Sequence, residues 1–287
     1  MPLEIICQDI SFNETKNFTF KNKISQHMLG ISYLYAGSEF NTINIQIFSL
    51  SLQSNYSEET LTVTANATLH DKDGHSYWVD HSWIRVVAIA WTDTNASNLL
   101  LTNSQLSDIE NNSESKAIYI PTQLLNGNIG APNPLVAALA GFNFNCTSSG
   151  DLSVRAMAAS VGAESNIFSP TATVTGSAFL EDGNGYSANS ATADGALLAN
   201  CDPDLTTFSI IPVNNISGSQ SFSTTYTNSM ALLSGFVLEC DKSNPIQFIE
   251  FGISSSIASG KCVVSGGILS THVDPALSSV TGFVVLY

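Results

Sequence analysis

The chain has 287 residues, enough for two or three domains of ordinary size, of which 44% are hydrophobic and only 11% charged. Nine Lys+Arg against 24 Asp+Glu leave a net charge of −15, which repels phosphate backbones and anionic lipid headgroups and argues against a nucleic-acid partner. Ser, Thr and Asn supply the missing polarity; Thr suits strands while Ser and Asn suit turns, so composition leans toward β structure.

The opening MPLEIICQDISFNETK carries neither a basic n-region nor a long apolar stretch. No secretory signal is expected there, which points to synthesis in the cytoplasm or to a particle assembled there. No apolar run approaches the roughly 18 residues of a membrane span; the longest candidate, Pro134–Phe144, is interrupted by glycine. Cys7, Cys146, Cys201, Cys240 and Cys262 fall at irregular spacings without a CxxC. That favours free thiols, with Cys146/Cys201 and Cys240/Cys262 left open as disulfides.

The first unit opens on Phe18 and Phe20, passes through His27–Leu34 and reaches Ile43–Leu52, a run that alternates and switches its apolar side near Phe48. Such a switch is what a β-bulge or a bend between sheets produces. Leu61–Gly74, LTVTANATLHDKDG, continues the alternation and ends in an Asp/Gly turn, a hairpin signal. Trp83–Trp91 is apolar on both faces and is expected to be a central strand; Trp83 and Trp91 share a face with Arg85 and His81.

Residues 93–117 are polar and poorly periodic, which predicts a linker with one short helix around Ser104–Ile109. A second unit over 118–203 starts its first clear strand at Leu135. Ala172–Gly185, ATVTGSAFLEDGNG, repeats the first-unit hairpin stretch without a gap, setting Val63 on Val174, Asp71 on Asp182 and Gly74 on Gly185. At the same displacement Gly30 falls on Gly141 and Ala88 on Ala199. A third unit over 204–287 restarts the pattern: Gly235-Phe-Val-Leu-Glu-Cys240 repeats Gly141-Phe-Asn-Phe-Asn-Cys146, and Phe222 with Met230 echoes Phe18 with Met28. The fold expected is all-β, three tandem copies of a small antiparallel β-sandwich with jelly-roll or Greek-key character, over 1–92, 118–203 and 204–287. Units this small bury little surface alone and are expected to pack on one another or on neighbouring chains.

Candidate chemistry concentrates in the first unit. His70, Asp71, Asp73 and His75, followed by Asp80 and His81, are the densest polar cluster. Asp71 and Asp73 with a carbonyl make a candidate Ca²⁺ site, although no Glu stands where an EF-hand loop needs its last ligand. The alternative is a hairpin turn whose Asp side chains bind backbone N–H groups. Trp78 and Trp83 beside Asp73, His75 and His81 make a candidate ligand surface, because exposed aromatics flanked by polar groups bind sugars; buried, the same residues are core. GxSxG, HExxH, Walker and Rossmann signatures are missing, so no enzyme is expected and no cofactor beyond Ca²⁺.

An opening Phe-rich strand (Phe18, Phe20; Phe222), a central strand with Gly and a hydrophobic partner (Gly30-Ile31; Gly235-Phe236) and a closing strand such as Val86–Trp91 give each unit a layout that resembles the H-type lectin module. The resemblance implies a six-stranded sandwich that trimerises and binds galactose or N-acetylgalactosamine. The closing strands of units two and three depart from it by lacking the aromatic. Two functions follow as expectations: a non-enzymatic structural protein that self-associates into an oligomer or polymer such as a filament, shell, tail or inclusion, or a lectin-like protein with a glycan ligand.

Overall fold

Alternation of apolar and polar side chains dominates the chain, and the backbone follows it. The structure, a computed structural model, describes residues 3–37, 44–76, 81–92, 99–104, 113–119, 134–147, 152–166, 171–200 and 206–287. Among them there is no α-helix, and so no helix long and apolar enough to cross a membrane.

The strands fall into three runs of six. The first is β1 (Leu3–Ser11), β2 (Thr15–Thr19), β3 (Gln26–Gly37), β4 (Ile47–Ser57), β5 (Thr60–His70) and β6 (Trp83–Trp91). The second is β7 (Leu99–Ser104), β8 (Ser113–Tyr119), β9 (Leu135–Asn145), β10 (Val154–Asn166), β11 (Thr171–Glu181) and β12 (Ser190–Asn200). The third is β13 (Ser209–Ile216), β14 (Gly218–Ser223), β15 (Ser229–Asn244), β16 (Phe248–Ala258), β17 (Lys261–Ser270) and β18 (Ser279–Leu286).

They build three antiparallel six-stranded sheets, ordered β1-β6-β3-β16-β17-β14, β13-β18-β15-β10-β11-β8 and β2-β5-β4-β9-β12-β7. Each sheet joins the first, sixth and third strands of one run to the fourth, fifth and second of another. Within a run the first strand pairs with the last and the second with the fifth, a jelly-roll-like nesting. The seams β4–β9, β10–β15 and β16–β3 lead from run one to two, two to three, and three back to one. The last closes the ring.

Two cores result. The larger spans all three runs and includes a layer in which Phe142 meets both Phe236 and Phe251, whose rings stack at 4.1 Å. The smaller is drawn from the first, third and sixth strands of the runs, with Phe208, and holds Met28, Ile89, Trp91, Leu101, Leu198, Leu232 and Phe283. Here β3, β9 and β15 touch one another. A Cβ on Gly30 would stand 2.6 Å from Leu232 and 2.7 Å from Ala138, so only glycine permits that approach.

Several sequence expectations change. The stretch 93–117 is not a linker over its described part: it carries β7, which pairs with β12, and the start of β8, which pairs with β11. Both are edge strands with one neighbour; in β7 only the three leucines are apolar, Leu99 and Leu101 entering the smaller core and Leu100 packing on the larger. Apart from Ser104 at the end of β7, the short helix expected over Ser104–Ile109 lies outside the described residues. The side switch near Phe48 is a bend at Gln46 between the isolated bridge of Ile45 with Leu152 and the start of β4.

The alignment of Gly30 on Gly141 also fails in three dimensions. Each third strand carries a bulge against its sixth, at Ser32, Ala140 and Ser234. Counting from it, Gly141 and Gly235 correspond to Tyr33, and Ala88 to Leu197. Cys240 and Cys262 are free buried thiols, as is Cys146; Cys201 lies outside the described residues.

Candidate functional site

The Asp/Gly turn is built identically in the first two runs. Asp71 Oδ1 accepts the backbone N–H groups of Asp73 and His75, both at 2.9 Å, and its Oδ2 lies 2.7 Å from His75 Nδ1. Asp182 Oδ1 likewise accepts from Asn184 at 2.7 Å and Tyr186 at 3.1 Å. Both carboxylates are buried, and Gly74 and Gly185 take φ of 86° and 92°. Burial alone raises the Asp71 carboxyl, but the bonds from the His75 ring, its backbone and Asp73 outweigh that and hold it below the ordinary carboxylate value. Asp71, Asp73 and His75 bring their ligand atoms within 4.8 Å of one another. Two carboxylates and an imidazole do not fit Ca²⁺, which takes six to eight oxygens. The Asp71 carboxylate serves the turn.

The other first-run candidates lie elsewhere. Trp78 is outside the described residues, and His81 is exposed just ahead of β6. Trp83 begins β6 and, with Arg85, faces outward from the first sheet; farther along the same side Val87, Ile89 and Trp91 enter the smaller core. One strand face is thus surface at its start and interior at its end, because the three half-sheets converge only toward the β3–β9–β15 contact.

Pairing across the closing seam sets two neighbouring rows of side chains on this outer face. One runs Asp9, Arg85, Tyr33, Gly252, Gly267; the next runs Ser11, Trp83, Tyr35, Glu250, Leu269. Tyr33 and Trp83 stack at 4.9 Å with 13° between their planes. The Arg85 guanidinium lies 5.9 Å and 5.5 Å from the two ring centroids and donates to both oxygens of Asp9, at 2.7 and 3.0 Å, a fork geometry that fixes it. The Tyr33 hydroxyl donates to Glu250 Oε1. Burial first, then this bond and the Glu250 charge, push the Tyr33 phenol far above its ordinary value, so it remains a donor at every relevant pH.

Beside the stack lies a groove of about 460 Å³ lined by Tyr33, Arg85, Glu250, Ser254, Ser265 and Leu269 among others, a size that suits a small ligand. Its floor is bare at Gly267, whose partner across the pair, Gly252, is buried. Gly252 has no room for a side chain beneath the Tyr33 ring, whereas the space above Gly267 is open to 4 Å. Leu269 stands 57% exposed at the rim.

The same two rows at the other seams are plain. At β4–β9 they read Asp194, Gly141, Ser51, Asn66 and Thr192, Asn143, Ser49, Thr68. At β10–β15 they read Thr281, Gly235, Ser160, Ser177 and Ser279, Val237, Ala158, Phe179. Sequence reasoning found Trp83 and its neighbour Arg85 but missed Tyr33, Glu250, Gly252 and Gly267. The available signal was Tyr33 standing where Gly141 and Gly235 stand, obscured by alignment on Gly30. Comparison with protein-family models, curated proteins and solved structures finds no match for the chain.

Proposed function

We propose that this is a non-enzymatic binding protein that holds a carbohydrate in the groove of the β3–β16 seam. The observation that carries the reading is the concentration of aromatic, Arg and carboxylate groups around a floor left open at Gly267, at one of three equivalently paired seams. A sugar needs an apolar surface for its C–H face and fixed polar groups for its hydroxyls. Gly267, Leu269 and Tyr33 offer the first; Glu250, Ser254 and Ser265 offer the second. The H-type lectin resemblance points the same way and makes galactose and N-acetylgalactosamine the first sugars to try. A glycan array probed with the labelled protein tests the reading: bound glycans that are lost on Trp83→Ala and Tyr33→Ala support it, and an empty array contradicts it.

Self-association is the second reading, favoured by the seams themselves. Each run adds its β4-type strand to the β3-type strand of another run, and a further copy of the chain offers the same edge when the closing seam opens. Light scattering on the purified protein separates the two, since large regular assemblies support association and a discrete monomer or small oligomer removes that reading.

A further inference from the structure

We infer that the seam groove is an acid-excluding site: it takes uncharged saccharides and rejects those carrying carboxylate, sulfate or phosphate, with Glu250 as the discriminating residue. The inference rests on the carbohydrate reading above and adds the ligand's charge class.

Among the described residues, two charged side chains line the groove. Arg85 is the cation, and both oxygens of Asp9 hold it in a bidentate pair, so its charge is already answered, with its guanidinium over the rings of Tyr33 and Trp83. Glu250 is different. It sits at the boundary between run one and run three and takes the neutral Tyr33 hydroxyl, not a cation, as its partner. One of its oxygens is engaged there, leaving the other to accept from a sugar hydroxyl. Among the described residues the groove therefore carries one uncompensated negative charge, in a chain whose net charge is −15. An anionic ligand would have to break the Arg85–Asp9 pair or sit beside Glu250; two like charges about 4–6 Å apart in a half-exposed site disfavour binding by roughly tenfold or more. A neutral polyol meets no such cost and gains a charge-assisted hydrogen bond. Ser254 and Ser265 on the far wall add hydroxyls without charge. Gly267 matters as well, since the open space above it lets a sugar ring descend toward Glu250.

The test is an array of neutral glycans printed beside their sialylated, sulfated and uronic counterparts, probed with the wild-type protein and with Glu250→Gln, each checked for folding by circular dichroism. The expected result is binding to neutral members only, with E250Q losing about tenfold on those and gaining about tenfold on the acidic counterparts. Glu250→Ala, which also frees the Tyr33 hydroxyl, should lose neutral binding without the isosteric rescue that Gln gives to acidic ligands. Equal or tighter wild-type binding to acidic members overturns the charge inference while leaving the carbohydrate reading in place. An array with no bound glycan at all overturns the carbohydrate reading and the inference with it.

Discussion

The β3–β16 and β4–β9 seams share a pairing register and differ in what they show the solvent. Just past the bulge, strands approach so closely that one partner of the pair has to be glycine. At β4–β9 it is Gly141, on the third strand, where a Cβ would stand 2.5 Å from the Leu50 carbonyl oxygen; its partner is Ser51. At β10–β15 it is Gly235, opposite Ser160. At β3–β16 the glycine has moved across the seam to Gly252, and the third strand carries Tyr33. The backbone fixes that one member of the pair is small; the sequence is free to choose which. Moving the glycine lets an aromatic ring stand beside Trp83 and turns a plain β surface into a walled groove.

Substitutions can break or sharpen that contrast. The largest effect is expected beneath the seams, where all three share one aromatic layer. Phe251→Ala and Phe142→Ala should each cost about 3–5 kcal/mol of unfolding free energy in urea titrations, because the inner side does not distinguish the seams. A large gap between the two would show that the closing seam is built differently throughout. Next is the exchange Tyr33→Gly with Gly252→Ser, which rewrites the first seam in the pattern of the other two. It should leave the fold intact by circular dichroism and reduce saccharide affinity at least about a hundredfold, equal to about 2.7 kcal/mol.

The two turns offer a smaller, matched comparison. Asp71→Ala and Asp182→Ala each strip two backbone N–H groups of their acceptor and should cost about 1–2 kcal/mol in the same titrations. The Asp71 pair should show the acid dependence that its carboxyl predicts. Its folded-state value lies below the ordinary 3.8, so its contribution is fully present above the unfolded value and fades as pH falls through the folded one. The stability gap between wild type and Asp71→Ala should hold steady at neutral pH and narrow below about pH 4. The least effect belongs to Arg85→Gln. Its exposed pair with Asp9 contributes no more than about 1 kcal/mol, so stability should barely move.

Much of this molecule could be read from residues alone. Alternation placed the long strands, and the recurrence of LTVTANATLHDKDG as ATVTGSAFLEDGNG marked two turns whose Asp71 and Asp182 make the same bonds. The failures share a physical cause. β7 and β8 are short edge strands: LLLTNS has only three apolar residues before it turns polar, and SESKAIY opens polar, so neither run announces a strand in a polar stretch. The match of Gly30 to Gly141 rested on residue identity, while true equivalence is set by bulges at Ser32 and Ala140 that no local pattern announces. The site was half legible: Trp83 and Arg85 share a strand and a face, but Glu250 joins them only through the β3–β16 pairing, which brings it to Tyr33 across 217 positions. The histidine and carboxylate cluster drew attention for its polarity, and in the fold its buried carboxylate, Asp71, serves the turn.

The contrast between seams makes a stoichiometric demand. Isothermal titration of the wild-type chain with a saccharide taken from the array measures it directly. The account predicts one bound saccharide per chain, and none once Tyr33→Gly and Gly252→Ser are combined. Three equivalents per chain, or one that survives the exchange, would contradict it.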